Sequence, residues 1–228
     1  MSAFRTDNVN VAAPARLQRS FAWRCLQFLA MPFFRLWVRT HVVGTENIDD
    51  KQGGLLLLNH QSFLDPVAAA IRLKRPVSFM AREGLFRVPV VSWVLRNTYS
   101  QPISQTAFRG SSIRRAVGRM HQGFLVGIFP EGERSSGAVK KFNRGFLSLV
   151  RRVDLPIYPV GIVGGDQLMP RGSFLIRPGK ITVVFGQPIT ENERERLRTG
   201  RNDEELAEMM RQRVVECMAR AGYSSNTE

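Results

Sequence analysis

Cysteine is scarce in this chain: there are two in 228 residues, Cys25 and Cys217, each within an apolar helical pattern. A disulfide framework is not expected, and both thiols read as core or membrane-facing groups compatible with a reducing compartment. Histidine is also sparse, at three, namely His41, His60 and His121. None has the Cys or His spacing of a zinc site, so no metal is expected. Neither a Gly-x-Gly-x-x-Gly turn nor a phosphate-loop pattern occurs, which leaves nucleotide folds without support. No apolar core with a cleavage site follows a basic start, so no signal peptide is expected. Acidic residues are in deficit too, nineteen against thirty-three basic, for a formal charge of +14. The excess is concentrated in residues 51–150, with fifteen basic and four acidic, whereas residues 151–228 hold twelve and eleven. Such a field suits an anionic substrate, an anionic membrane surface, or both. Nucleic acid is not expected, because the segment carries no recognisable nucleic-acid module and no basic run interleaved with aromatics.

What is present begins with length and apolar content. At 43% hydrophobic, 228 residues bury a sizeable core in one domain, and a second full domain is not expected. Leu55–Leu58 after Gly53-Gly54 reads as a short buried strand, so Asn59-His60-Gln61-Ser62-Phe63-Leu64-Asp65 emerges where that strand ends. Open α/β sheets place their chemistry there. His60 and Asp65 are five apart, which on a regular helix puts them on different faces, so they meet only across a turn. With Asp65 as the cap of a helix whose first residue is Pro66, the carboxylate turns back towards the imidazole. A histidine so oriented is a general base near neutral pH. The alternative is a plain helix cap beside a solvated loop histidine.

A second block, Phe129-Pro130-Glu131-Gly132-Glu133-Arg134-Ser135, follows the apolar run Phe124–Phe129. It offers main-chain N–H groups and a guanidinium to an anion, with Arg134 as the phosphate ligand; alone it is also consistent with an exposed turn. His-x4-Asp, then Phe-Pro-Glu-Gly-x-Arg-Ser, then Leu155-Pro156-Ile157-Tyr158-Pro159-Val160 resembles, in that order, the glycerolipid acyltransferase family typified by 1-acyl-glycerol-3-phosphate acyltransferases. The resemblance runs from about Gly44 to Ile189. It implies acyl transfer from a thioester, acyl-CoA or the acyl carrier protein form (acyl-ACP), to the free hydroxyl of lysophosphatidic acid, giving phosphatidic acid. The same transfer to another lysolipid or an amino-lipid, and a non-catalytic basic membrane module, are the competing readings. In the implied mechanism His60 deprotonates the acceptor, Asp65 fixes its tautomer, and the alkoxide attacks the thioester directly. Ser62 and Ser135 lack a Gly-x-Ser-x-Gly elbow, so no covalent intermediate is required. N–H groups near His60 or Gly132 are the candidate donors to the thioester oxygen. Asn59, Glu131, Gly132, Arg134, Ser135 and, in the later basic segment, Lys140, Lys141, Arg144 and Gly145 are the implied substrate-binding set. Lys140, Lys141 and Arg144 either bind phosphate or face solvent. No cofactor is expected, only the thioester co-substrate. One departure stands out: many members carry Asp-Arg after the strand at 99–103, where this chain has Ser104-Gln105, and Arg109 four residues on is the candidate substitute.

The remaining chain reads as an α/β domain with a mixed sheet flanked by helices, over 41–222, preceded by an amphipathic helical membrane-associating element. Residues 1–14 read as a flexible arm and 223–228 as a frayed tail. Residues 15–40 crowd Phe, Trp and Leu around Arg24 and Arg35, leaving too short an uncharged run for a spanning helix, which needs about 20 apolar residues. With Pro32 expected to kink or split them, they read as interfacial helices, and packing on the domain is the alternative. This implies a peripheral or monotopic protein on the cytoplasmic face, with an anionic phospholipid surface, a lysophospholipid acceptor and an acyl carrier protein as partners. Helices are expected at 66–73, 111–122 and 203–220, the last with Leu206, Met209, Met210, Val214 and Cys217 on one face. Strands are expected at 77–80, 99–103, 156–163 and 181–185, the prolines of 156–163 favouring an exposed side or a bend. Val88–Leu95 is either a packed helix or an acyl-tunnel wall, packing being preferred.

Overall fold

The structure is a computed structural model and describes residues 21–103, 110–173 and 175–223. Among these residues seven strands form one sheet: β1 (His41–Val43), β2 (Gly54–Leu58), β3 (Val77–Arg82), β4 (Gln101–Ile103), β5 (Leu125–Ile128), β6 (Ile157–Val163) and β7 (Thr182–Phe185). Their order across the sheet is β1-β7-β6-β2-β5-β3-β4. Every neighbouring pair is parallel except β6 and β7. The helices are α1 (Phe21–Leu36), α2 (Asp65–Ala70), α3 (Pro89–Asn97), α4 (Gly110–His121), α5 (Leu147–Val150), α6 (Gly165–Leu168), α7 (Glu191–Thr199) and α8 (Asp203–Arg220).

The four leucines of β2 are buried because the sheet is covered on both sides. Side chains alternate across a strand, so Leu56 and Leu58 enter one core with Ala68, Ala69, Phe34 and Val38, while Leu55 and Leu57 enter the other with Ile113, Met120, Phe146 and Met210. The first core is roofed by α1 and α2, the second by α4, α5 and α8. Gly161 lets α8 lie directly on β6: a Cβ there would sit 2.4 Å from the Met218 main-chain nitrogen. Cys217, on the same helix, is buried, and burial pushes its thiol up to about 11, so it is an inert core group.

Several expectations are corrected. β6 is buried from Ile157 to Ile162 rather than bent or exposed on one side. Pro159 is accommodated because its pairing with β7 begins one residue later, at Val160, and its carbonyl still accepts from Gly186 N–H. The helix expected from Val88 occupies 89–97 and does not pack inward: Val88, Val91 and Trp93 are exposed, and none of its described side chains is fully buried. Pro32 does not split α1, which runs on from Phe21 to Leu36 although the proline has no N–H to donate to Phe28 O. Phe34 of α1 and Val38 just after it are buried, whereas Phe28, Leu29 and Leu36 are 78%, 72% and 75% exposed. That helix therefore both packs on the domain and presents apolar surface. No helix among the described residues is long and apolar enough to cross a membrane. Residues 1–20 and 224–228, with the arm, the first part of the N-terminal element and most of the tail, lie outside the described residues. Two helices were not anticipated, the four-residue α6 and the longer α7, whose charged sequence hides its single buried residue, Leu197. The signal for α7 was Thr190-x-x-Glu193, a capping box in which Thr190 Oγ1 accepts from Glu193 N–H and the Glu193 carboxylate accepts from Thr190 N–H.

Gly161→Ala should force α8 off β6 and destabilise the protein by about 1–3 kcal/mol, measured by urea unfolding.

Candidate active site

β2 and β5 are adjacent and parallel, so the loops that follow them leave the same edge of the sheet. This sets the His60 loop against the 129–135 loop. His60 Nδ1 lies 2.9 Å from Asp65 Oδ2, with the imidazole 17% and the carboxylate 0% exposed. Asp65 is not a helix cap, as its sequence position suggested. It is the first residue of α2, and Oδ2 instead accepts from the N–H groups of Gln61 (2.6 Å) and Ser62 (2.7 Å) upstream. One carboxylate oxygen thus closes the turn and holds the ring, leaving Nε2 as the ring nitrogen facing away from Asp65. Gly165 gives this carboxylate room, since a Cβ there would stand 2.7 Å from Asp65 Oδ1.

The second loop grips the first. Glu131, 4% exposed, accepts at Oε1 from His60 N–H (2.7 Å) and at Oε2 from Lys140 N–H (2.9 Å). Burial pushes its carboxyl above the usual carboxylate range, and those hydrogen bonds pull against that. The His60 carbonyl accepts from Ser135 N–H (2.7 Å) and Oγ (3.2 Å). Phe129 stacks on the imidazole at 4.2 Å between centroids. Arg134 places its guanidinium 4.1 Å over the Phe63 ring. Its Nη1 is buried and, among the described residues, has no hydrogen-bond partner. A buried, unpartnered guanidinium nitrogen beside a histidine is a ready anion ligand. Gly132 adopts φ +73°, where a side chain would be strained, and Asn143 Nδ2 would lie 2.8 Å from its Cβ.

The residues named from sequence are therefore placed as follows. His60, Asp65, Glu131, Gly132, Arg134 and Ser135 come together. Asn59 is fully buried, its amide paired with the main chain of Ile162, so it braces the loop instead of facing a ligand. Lys140 joins the site through its N–H to Glu131, while its Nζ pairs with Glu133 at 2.6 Å. Lys141 pairs with Glu204 of α8 and, with Arg144, lines a cleft of about 610 Å³ against that helix. Gly145 lies in the 3₁₀ turn Arg144–Phe146. Ser104, Gln105 and Arg109 lie outside the described residues. Of the N–H groups at and near His60 and Gly132 that are candidate donors to a thioester oxygen, those of His60 and Gly132 themselves are engaged, on Glu131 and on Phe129 O. Among the described residues no cluster of His, Cys, Asp and Glu is arranged to hold a metal.

Sequence reading missed Arg82, at the end of β3, which donates to Gly132 O. The rule that pointed to His60, polar residues at the carboxyl ends of strands, applies to it equally. It also missed Arg171 and Asp166, which secure the second loop at Arg134 O, Glu133 and Gly137 N–H.

A family model described as Acyltransferase matches residues 39–163. A chloroplastic 1-acyl-sn-glycerol-3-phosphate acyltransferase of Brassica napus is 28% identical over 163 residues, 69% of this chain and 46% of that protein. One from Chlamydomonas reinhardtii is 26% identical, with 90% of this chain and 59% of that protein aligned. The chain thus spans about half the length of these relatives. A 1-acyl-sn-glycerol-3-phosphate acyltransferase of Bacillus subtilis is 24% identical over 77% of this chain and 86% of its own length. The crystal structure of the 1-acyl-sn-glycerophosphate acyltransferase PlsC from Thermotoga maritima superposes with a TM-score of 0.70 at 25% identity, covering 90% of this chain and 81% of that one.

Asp65→Ala removes the acceptor of two buried main-chain donors and of the imidazole. At about 1–3 kcal/mol for each donor left unpaired, it should cost at least about 3 kcal/mol of stability in urea unfolding.

Proposed function

This chain belongs to the acyltransferase family, and from that premise we propose that it transfers a fatty acyl group from acyl-CoA or acyl-ACP to the free hydroxyl of lysophosphatidic acid, giving phosphatidic acid. The observation that carries this reading is the His60–Asp65 pair standing beside Arg134, a half-buried cation whose Nη1 lacks a partner among the described residues.

In this mechanism Asp65 keeps the proton on Nδ1, so Nε2 is free to accept one. Nε2 takes the proton of the acceptor hydroxyl as its oxygen attacks the thioester carbonyl; the new C–O bond forms, the C–S bond breaks, and the thiolate leaves with the proton from the imidazolium. A base so placed contributes about 10²- to 10⁴-fold in rate. Two observations support direct attack over an acyl-enzyme: Ser62 is fully buried, its Oγ near Leu64 N–H at 3.3 Å, and Ser135 Oγ is engaged with His60 O. Arg134, joined by Arg82 across Gly132, takes the acceptor phosphate. Phe28, Leu29 and Leu36, exposed beside Arg35 and Trp37, suit contact with an anionic phospholipid surface, a peripheral placement that we assign to the cytoplasmic face.

Purified protein in anionic liposomes, offered lysophosphatidate with each donor in turn, should form phosphatidate. His60→Ala should abolish turnover without unfolding the protein, and Arg134→Ala should raise the acceptor KM more than it lowers kcat. Full activity in His60→Ala would sink the mechanism. Product from other lysolipids but not from lysophosphatidate would instead reassign the acceptor.

A further inference from the structure

We propose that Glu131 is a positioning residue for His60, acting on the histidine's main chain, and not a ligand of the acceptor. The proposal rests on the reading of His60 as the base. Glu131 is 4% exposed, and its two oxygens face donors on different segments: His60 N–H at 2.7 Å and Lys140 N–H at 2.9 Å. A carboxylate held this way has no free edge to offer a phosphate or a hydroxyl. Its own carbonyl is also fixed, accepting from Asn143 Nδ2 at 2.9 Å.

Consider what determines where the imidazole points. The main-chain nitrogen of His60 is set by Glu131, its carbonyl by Ser135, its ring plane by Phe129 and its tautomer by Asp65. Three of the four come from the 129–135 loop, so releasing the nitrogen frees the 59–60 peptide to rotate and carries Nε2 away from the acceptor hydroxyl. The requirement is for two acceptors, because two N–H groups point at the side chain from different segments. Carboxylate meets it. Glutamine supplies one acceptor, and its amide N–H₂ must oppose the second donor. Aspartate keeps both oxygens on a stem one carbon shorter and cannot span the same gap. Burial raises the Glu131 carboxyl, so ionising this group is unfavourable where it sits; the main-chain N–H groups of His60 and then Lys140 are the largest compensation, with the Ser135 side chain adding to it. Through Oε2 the same side chain ties the basic segment at Lys140 to the base, so the general base and the adjoining cationic loop are referenced to one carboxylate.

The test compares wild type, Glu131→Gln, Glu131→Asp and Arg134→Ala in steady-state turnover with whichever lysolipid acceptor supports it, alongside residue-resolved hydrogen exchange of the His60 amide. A misplacement of about 1 Å can cost on the order of 100-fold in rate. Glu131→Gln is therefore expected to lower kcat by about 10- to 100-fold while the acceptor KM stays within about twofold, with Glu131→Asp at least as impaired. Exchange at His60 should accelerate in Glu131→Gln while α8 remains protected, and Arg134→Ala should show the opposite kinetic split. A rise in acceptor KM of about tenfold with kcat retained in Glu131→Gln would overturn the proposal and make Glu131 an acceptor ligand. If neither Glu131 variant folds, wild-type exchange decides: a strongly protected His60 amide supports the clamp, and exchange at the rate of an open loop overturns it. Wild-type protein that acylates no lysolipid would defeat the acyltransferase reading, and the exchange measurement would still decide the clamp.

Discussion

Both main-chain polar groups of His60 are held by the loop after β5, whose residues lie 71 and 75 positions further along the chain. That grip depends on β2 and β5 being parallel neighbours, because only then do their following loops leave the same edge side by side. Main-chain hydrogen bonds are directional, and two of them on one residue define an orientation that a side-chain contact alone does not. With the peptide fixed, the pairing of the ring with Asp65 and its stacking on Phe129 become consequences of position, not separate requirements. The second loop is itself secured from outside, by Arg171 at Arg134 O and by Asp166 at Gly137 N–H. His60 is thus the innermost member of a nested set of supports, each on a different element of the sheet edge.

The same architecture explains how charge and apolar surface are divided. A sheet covered on both faces absorbs the Leu, Val and Ile runs, so the described basic residues of 51–150 are left at the rim and on helix exteriors. Among the described residues, Lys74, Lys140 and Lys141 form ion pairs with Asp50, Glu133 and Glu204, and exposed pairs of this kind contribute little stability. Arg134 differs, being half-buried, resting on Phe63 and carrying a nitrogen without a partner among the described residues. A cation left in that condition is costly unless an anion completes it, which is the physical argument for proposing an anion ligand there. α1 adds the apolar counterpart: Phe34 anchors it to the core while Phe28, Leu29 and Leu36 face outward.

Much of this was legible in the residues themselves. Apolar runs ending in polar clusters located β2 and β5, and helical spacing located the inner face of α8, because burial periodicity is a local property. The expectations for Pro159 and Val88–Leu95 fail because the deciding partner is remote. Pro159 suggested an exposed or bent strand, yet the start of the β7 pairing one residue later makes its missing donor harmless. Val88–Leu95 was expected to pack and instead shows Trp93 and Val91 at the surface, since no apolar neighbour covers them among the described residues. α7 carries its helix signal in a local cap and not in an apolar stripe. Asn59, Glu131 and Ser135 were grouped with ligands by their place in the two blocks, whereas their polar atoms are engaged with the protein's own main chain.

Sequence alone determined which residue types were available for the chemistry and where along the chain they cluster: a histidine and an aspartate five apart at a strand end, and an arginine in a glycine-containing turn at another. Those are matters of composition and local period, which a linear string contains in full. Tertiary structure alone decided which polar groups remain free to meet a substrate and which hold the scaffold, because that depends on hydrogen-bond partners brought in by sheet order from 71 or more residues away.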